Sequence, residues 1–314
     1  MGDVVSSLLF QPPKTKRALK ESKVTWLTTK NGNRIPSVFL PCAVETRRTI
    51  LYSHANAEDL ADVYVWLKYL NRHLQVNVIG YDYSGYGQSD GETSEENCYA
   101  DIDAVYDHLI NERKLSPSDI ILVGRSLGSG PSCYLAARTS TDGKPVAGVI
   151  LHSPFTSIYR IMLDVGCTIA SDRFPNIDFV PDIRCCVLFI HGTQDTIIPC
   201  SHSESLSLAV SKPYRLDPYL LEGVGHNSIP SECLPLFISR VQLFMKNSLN
   251  VMDCHTDIRM PSLNDEKYFQ LTHRKRSSSH NAMKISSSQQ AYFEEKILNV
   301  YVKAIHEQWI EVQL

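Results

Sequence analysis

No run of 18 apolar residues occurs anywhere in the 314-residue chain, so no helix able to span a bilayer is expected. The N-terminus lacks the long apolar core of a secretory signal, and the chain reads as intracellular. Excess charge of one sign is also missing. The 31 Lys and Arg against 34 Asp and Glu give a formal net charge of −3, which offers no electrostatic reason to expect nucleic acid as a partner. The histidines show no H-x-x-x-H spacing with a third ligand, so no metal and no other cofactor is expected. The nine cysteines are odd in number and irregular in spacing, and Cys185 and Cys186 are adjacent inside an apolar strand-like run. That pattern suits reduced core thiols better than a disulfide framework. No internal repeat is visible. What remains is a chain 43% hydrophobic, enough to bury one large α/β core with residues left over for tails.

The most informative segment is Ile121-Leu122-Val123-Gly124-Arg125-Ser126-Leu127-Gly128, an apolar strand running into G-x-S-x-G with a helix-like run, Ser129–Arg138, behind it. A serine on a sharp strand-to-helix turn is held at strained φ/ψ, so the residues two before and two after it must be small. Gly124 and Gly128 meet that demand. The turn lifts the Ser126 hydroxyl above the sheet and aims the Leu127 N–H at the place where an oxyanion would form. This is the pattern of a nucleophile elbow, the hallmark of the α/β-hydrolase fold.

The rest of the chain agrees. Candidate strands are Val24–Thr29, Ile35–Leu40, Thr49–His54, Val76–Asp82, Ile120–Val123, Val146–His152, Val187–His191 and Tyr214–Leu221. Helical patterns fall at Glu58–Leu74, Ser94–Arg113, Ser129–Arg138, Ser157–Ala170, Ser201–Val210 and Leu234–Asn247. Asn31-Gly32-Asn33 is a hairpin signal between the first two strands. Thereafter strands and helices alternate, which predicts a mostly parallel eight-stranded sheet with helices on both faces. Few residues separate the sixth strand from the seventh, where this fold often inserts a lid, so the lid should be small and the serine open to a bulky substrate. Residues 24–250 form the expected catalytic domain. Residues 1–23 are a basic N-terminal segment, and 251–314 read as a serine-rich polar linker followed by an amphipathic helix with Tyr292, Ile297, Val300, Tyr301, Ile305 and Trp309 on one face.

A serine hydroxyl is a poor nucleophile without a base, and in this fold the acid and then the histidine follow the serine in the chain. Asp195, in a polar loop after Phe189–His191, and His226, in the loop Glu222-Gly223-Val224-Gly225-His226-Asn227, take those places. His226 is expected to accept the Ser126 proton, and Asp195 to hold the imidazole tautomer. Asp172, Asp178 and Asp182 precede the seventh strand and read as lid or solvent carboxylates. His54 and His191 end strands and read as structural histidines. The second oxyanion donor should come from Ser53-His54-Ala55-Asn56-Ala57-Glu58-Asp59-Leu60, with the Asn56 N–H as the candidate.

That loop, the segment Tyr81-Asp82-Tyr83-Ser84-Gly85-Tyr86-Gly87-Gln88-Ser89, the elbow and Asp195/His226 together resemble the domain family 17 serine hydrolases, which remove palmitate from membrane-associated proteins. The resemblance spans about residues 8 to 247. It implies Ser126, Asp195 and His226 as triad, Leu127 and Asn56 as oxyanion donors, and an S-acyl thioester of a protein as substrate. The chain departs from the family at three places. Ala55 stands where the family has glycine, which would strain the oxyanion loop if that position needed φ > 0. Arg125 replaces a glutamine in the elbow, a change expected to face solvent. The N-terminal cysteine cluster that anchors animal members is absent. In its place, Met1-Gly2-Asp3-Val4-Val5-Ser6 fits an N-myristoylation pattern at Gly2, and Lys14, Lys16, Arg17, Lys20 and Lys23 follow it. One acyl chain plus a basic cluster is enough for peripheral attachment to a cytoplasmic membrane face. The expectation is therefore a cytosol-facing acyl thioesterase. The alternatives are a carboxylesterase or acylglycerol lipase with the same triad, or a non-catalytic scaffold on this fold.

Overall fold

Runs such as Ile120–Val123 and Val187–Ile190 are apolar on both faces, so both faces must be covered. In the computed structural model, which describes residues 9–13, 18–162 and 172–248, these runs lie within an eight-stranded sheet with helices on either side. The strands are β1 (Thr25–Thr28), β2 (Arg34–Leu40), β3 (Thr49–Ser53), β4 (Asn77–Tyr81), β5 (Ile120–Arg125), β6 (Gly148–His152), β7 (Val187–Gly192) and β8 (Tyr219–Leu221). Their order is β1-β2-β4-β3-β5-β6-β7-β8. β1 and β2 form the expected antiparallel hairpin, Thr28 opposite Arg34, with Gly32 at φ 84° in the turn. β2 is antiparallel to β4, and every later pairing is parallel.

The helices are α1 (Leu60–Leu74), α2 (Glu95–Asn111), α3 (Ser129–Thr141), α4 (Ile158–Met162), α5 (Asn176–Phe179), α6 (Ser201–Ala209), α7 (Ile229–Glu232) and α8 (Leu234–Ser248). The period-two alternation of the strands sorts the core into two layers. Leu122, Leu151 and Phe189 pack with α2, α3 and α6, whereas Ile121, Val123, Ile150 and Leu188 pack with α1 and α8. α1 shows how locally this is written. Asp59 caps it by accepting the Asp62 N–H at 2.9 Å, and Leu60, Val63, Leu67, Leu70 and Leu74 form its buried stripe.

Several expected boundaries shift. The last strand is expected from Tyr214, but Lys212–Tyr214 is a 3-10 turn, Arg215 makes an isolated bridge to Val187 of β7, and the continuous ladder to β7 is Tyr219–Leu221. Pro213 and Pro218 each remove a backbone donor, which explains the late start. Cys185 and Cys186 are buried just ahead of β7 rather than within it, and all described cysteines are free. The helix expected at Ser157–Ala170 opens as α4, and its remainder lies outside the described residues. So do Gly2, Lys14, Lys16, Arg17 and everything after residue 248, the expected C-terminal helix included. No described helix is long and apolar enough to cross a membrane.

Candidate active site

The elbow leaves β5 and turns at Ser126, whose φ of 50° is a left-handed conformation unusual for a serine. The two glycines are required by close packing. A Cβ on Gly128 would run into the Ser53 carbonyl, and one on Gly124 would lie 2.6 Å from Ser132 Oγ. The Ser129 hydroxyl donates to the Ser126 carbonyl at 2.7 Å and pins the turn from behind.

Ser126 and His226 are a hundred positions apart, yet Ser126 Oγ lies 3.1 Å from His226 Nε2. His226 Nδ1 lies 2.6 Å from Asp195 Oδ2. A carboxylate on Nδ1 selects the tautomer whose Nδ1–H donates, leaving Nε2 to accept from the serine hydroxyl. Two contacts hold the acid and histidine loops together. The Gln194 N–H donates to the Val224 carbonyl at 3.0 Å, and the Gly223 N–H to Thr193 Oγ1 at 3.0 Å. Gly192 has no space for a Cβ against that same Val224 carbonyl.

Asp195 is saturated with donors. Its Oδ1 accepts the Ile197 and Ile198 N–H groups at 3.0 and 2.8 Å, and its Oδ2 faces His191 Nε2 at 3.1 Å as well as His226. Burial alone would raise its pKa, but the hydrogen bonds from His191, His226 and the Ile198 N–H together hold it well below the usual carboxylate range. His191 is thus more than the core histidine expected at a strand end. Its Nε2 faces two acceptors, Asp195 and the Ile198 carbonyl at 2.7 Å, so it carries the proton there, and Nδ1 accepts from Ser203 at 2.8 Å. The signal available in the sequence was the four-residue spacing from His191 to Asp195 across the end of β7.

The loop after β3 begins beside the elbow, since Ser53 pairs in register with Gly124. Within it Ala55 is not in the left-handed region. Ala57, on the exposed side of the turn, is, at φ 57°. The strain expected at Ala55 is therefore absent, and the alanine fits where it stands. The Asn56 side chain is held on every polar atom it has. Its Nδ2 donates to the Leu9 carbonyl at 2.8 Å, and its Oδ1 accepts from the Gln11 N–H at 2.9 Å and the Tyr86 hydroxyl at 2.6 Å. Phe10 anchors this N-terminal strap by packing edge-on against Phe174, with ring centres 6.0 Å apart. The segment Asp82–Ser89 buttresses the same loop. Asp82 Oδ1 accepts the Leu60 N–H at 2.6 Å, and the Tyr83 hydroxyl donates to the His54 carbonyl at 2.7 Å. His54 itself is buried, its Nδ1 bonded to the Ala55 carbonyl, in the structural role expected of it.

Arg125 corrects a second expectation. Its side chain is only 11% exposed, and its guanidinium reaches Glu58 on one side and Asn227 on the other. It does not face solvent, because it ends a β5 face that Ile121 and Val123 have already turned toward α1 and α8. Asp172 accepts the Tyr159 and Arg173 N–H groups, and Asp178 and Asp182 are exposed, all three apart from the Ser126 cluster. Among the described residues no group of three or more His, Cys, Asp or Glu side chains is arranged to hold a metal ion.

A family model described as the alpha/beta hydrolase fold matches residues 48–166. Alpha/beta hydrolase domain-containing protein 17B of Xenopus tropicalis is 40% identical over 222 residues, covering 70% of this chain and 74% of that protein. The human 17B protein is 39% identical over the same shares, and the mouse 17C protein is 38% identical over 75% and 71%. Among solved structures, the Pyrococcus furiosus esterase Pf2001 superposes with a TM-score of 0.59 at 16% identity, over 76% of this chain and 99% of that one. Mouse alpha/beta hydrolase domain-containing protein 10 gives 0.54 at 18%, over 71% and 98%. These two share the fold, whereas the 17B and 17C proteins share the sequence across most of their length: the chain belongs to the alpha/beta hydrolase domain-containing 17 family and is a hydrolase.

Proposed function

We propose that this hydrolase cleaves acyl thioesters by a covalent serine mechanism, with S-palmitoylated, membrane-associated proteins as its substrates. The observation that carries the reading is the unbroken hydrogen-bonded chain from Ser126 through His226 to Asp195, with the serine held at a strained φ. Ser126 Oγ attacks the thioester carbonyl while His226 Nε2 takes its proton. The Leu127 and Asn56 N–H groups receive the oxyanion. The tetrahedral intermediate collapses, the C–S bond breaks and the cysteine thiol leaves, taking a proton from His226. Water, deprotonated by His226, then attacks the acyl-enzyme, releasing the fatty acid and restoring Ser126.

One feature favours a bulky substrate, and the thioester asks less of the site. Only residues 153–186 join β6 to β7, too few for a separate lid domain over the serine. A thiolate is also a better leaving group than an alkoxide, so acylation depends less on proton donation by His226. Peripheral attachment at a cytoplasmic membrane face belongs to the same reading. Lys20 and Lys23 are exposed at the head of the domain and continue the basic run that follows Gly2.

Labelling by a fluorophosphonate probe, lost in Ser126→Ala, tests the nucleophile. An unlabelled wild type would sink the mechanism. Turnover of a palmitoyl-cysteine peptide should exceed that of the matched oxyester, and a strong oxyester preference would instead favour a carboxylesterase or acylglycerol lipase. A Gly2→Ala chain that fractionates with membranes as well as wild type would rule out the myristoyl route.

A further inference from the structure

Arg125 stands between the glycine and the serine of the elbow, but its charge is spent elsewhere. One terminal guanidinium nitrogen contacts Glu58 Oε1, and the second terminal nitrogen donates to Asn227 Oδ1 at 2.8 Å. Glu58 passes the contact on, because its second oxygen accepts the Ala55 N–H at 3.0 Å. The result is one continuous chain of polar contacts, Ala55 to Glu58 to Arg125 to Asn227. It crosses three segments that are remote in sequence: the loop after β3, the elbow and the loop after β8. Ala55 immediately precedes Asn56, and Asn227 immediately follows His226. Each end of the chain therefore grips the neighbour of a residue that must face Ser126.

The chemistry of the pair points the same way. A largely buried ion pair recovers little net stability once both groups are desolvated, but its geometry is strict. The guanidinium is a flat fork that satisfies two acceptors in fixed directions, which neither a glutamine amide nor an ammonium can do. Burial disfavours its charge, but the neighbouring Glu58 and Tyr52 more than offset this and hold it above its ordinary pKa, so it stays cationic.

We infer that Arg125 is a positioning residue of this hydrolase, fixing the Asn56 oxyanion loop and the His226 loop at one mutual setting around Ser126. This rests on reading Ser126, His226 and Asp195 as the catalytic centre, and it adds a residue that touches neither substrate nor the reacting atoms.

The test compares Arg125→Gln, Arg125→Lys, Glu58→Gln and the Arg125→Gln/Glu58→Gln double variant of the full chain, using p-nitrophenyl octanoate and a fluorophosphonate probe. Rates are normalised to the titrated active serine. Arg47→Gln, which breaks an exposed ion pair with Asp119 far from the site, is the control and should behave as wild type. For Arg125→Gln, kcat and the labelling rate should fall on the order of 10- to 100-fold, as for a misplaced reacting group. KM should stay within about threefold, since little ground-state binding is lost. Glu58→Gln should fall similarly. The double variant should be no slower than the worse single one, because the two side chains act through one chain of contacts. Arg125→Lys should recover only part of kcat. The inference is overturned if Arg125→Gln keeps full kcat, if its loss vanishes on normalisation to active serine, or if the two losses multiply in the double variant. A wild type inert toward both probe and ester would overturn the reading of the site, and this inference with it. A fully active wild type with an equally active Arg125→Gln would overturn this inference alone.

Discussion

At the scale of single residues, the site depends on which atoms are already occupied. Asp195 receives both histidines and two backbone N–H groups, so its charge is stabilised before any substrate arrives. Asp195→Asn keeps the shape but can present an N–H₂ to His226 Nδ1, which favours the wrong tautomer. In serine proteases that change costs about 10⁴ in kcat. A drop of that order is expected here with the fold intact, read from kcat and a thermal melt on the same sample. Asp82 and Asp101 behave oppositely. Burial pushes each carboxyl up to about 7 against the backbone hydrogen bonds that favour its charge. Their folded pKa lies above the unfolded one, so their contribution to stability is complete below about pH 4 and is lost as pH rises toward 7. In urea unfolding between pH 4 and 8, Asp82→Asn should therefore gain on wild type as pH rises. A constant difference across that range would contradict the assignment. Asp195, depressed instead of raised, contributes above its unfolded pKa and loses that contribution in acid.

At the scale of elements, two kinds of segment carry the site, and they differ in how they are held. α1 is held by its apolar stripe. Leu67 is fully buried, and its Cδ1 lies 2.5 Å from where a Gly80 Cβ would stand, so the helix rests directly on the β4 backbone. Leu67→Ala should cost about 2–5 kcal/mol of unfolding free energy, measured by denaturant titration. The strap Leu9–Gln11 is held by side chains instead of by a ladder: Leu9 and Phe10 are buried in the core, Phe10 against Phe174, and its backbone bonds the Asn56 side chain twice and the Tyr86 hydroxyl once, at 3.2 Å. Phe10→Ala should free the strap without unfolding the domain. The expected signs are faster proteolysis ahead of β1 and reduced esterase activity, with a lowered melting temperature because Phe10 is buried in the core. Activity equal to wild type would show that the oxyanion loop does not need the strap.

At the scale of the whole molecule, the carboxyl ends of β3, β5, β7 and β8 deliver the Asn56 loop, Ser126, Asp195 and His226 to one edge of the sheet. Close backbone approaches at Gly128 and Gly192 hold these loops together. Gly128→Ala would drive a methyl group into the Ser53 carbonyl, and both elbow and oxyanion loop would have to move. The expected result is near-complete loss of fluorophosphonate labelling together with a lowered melting temperature. Full labelling would mean the two loops can part without harm.

The alternating strands and helices, the glycines around Ser126 and the chain order Ser126, Asp195, His226 were legible in the sequence because each is local or rests on serial order. A strand, a tight turn and a cap depend on neighbours within a few residues. The Arg125 chain and the grip of Leu9 and Gln11 on Asn56 leave no such mark, and the second histidine on Asp195 leaves only its four-residue spacing. The elbow arginine read as solvent-facing, and Ala55 read as a strained substitute for glycine. Only the tertiary structure showed that the arginine is buried between two loops and that the left-handed residue is Ala57. The physical reason is the same in each case. Periodicity and turn chemistry record what a residue does to its own backbone, whereas a hydrogen bond between Arg125 and Asn227 exists only after the sheet has carried their two strands to a common edge.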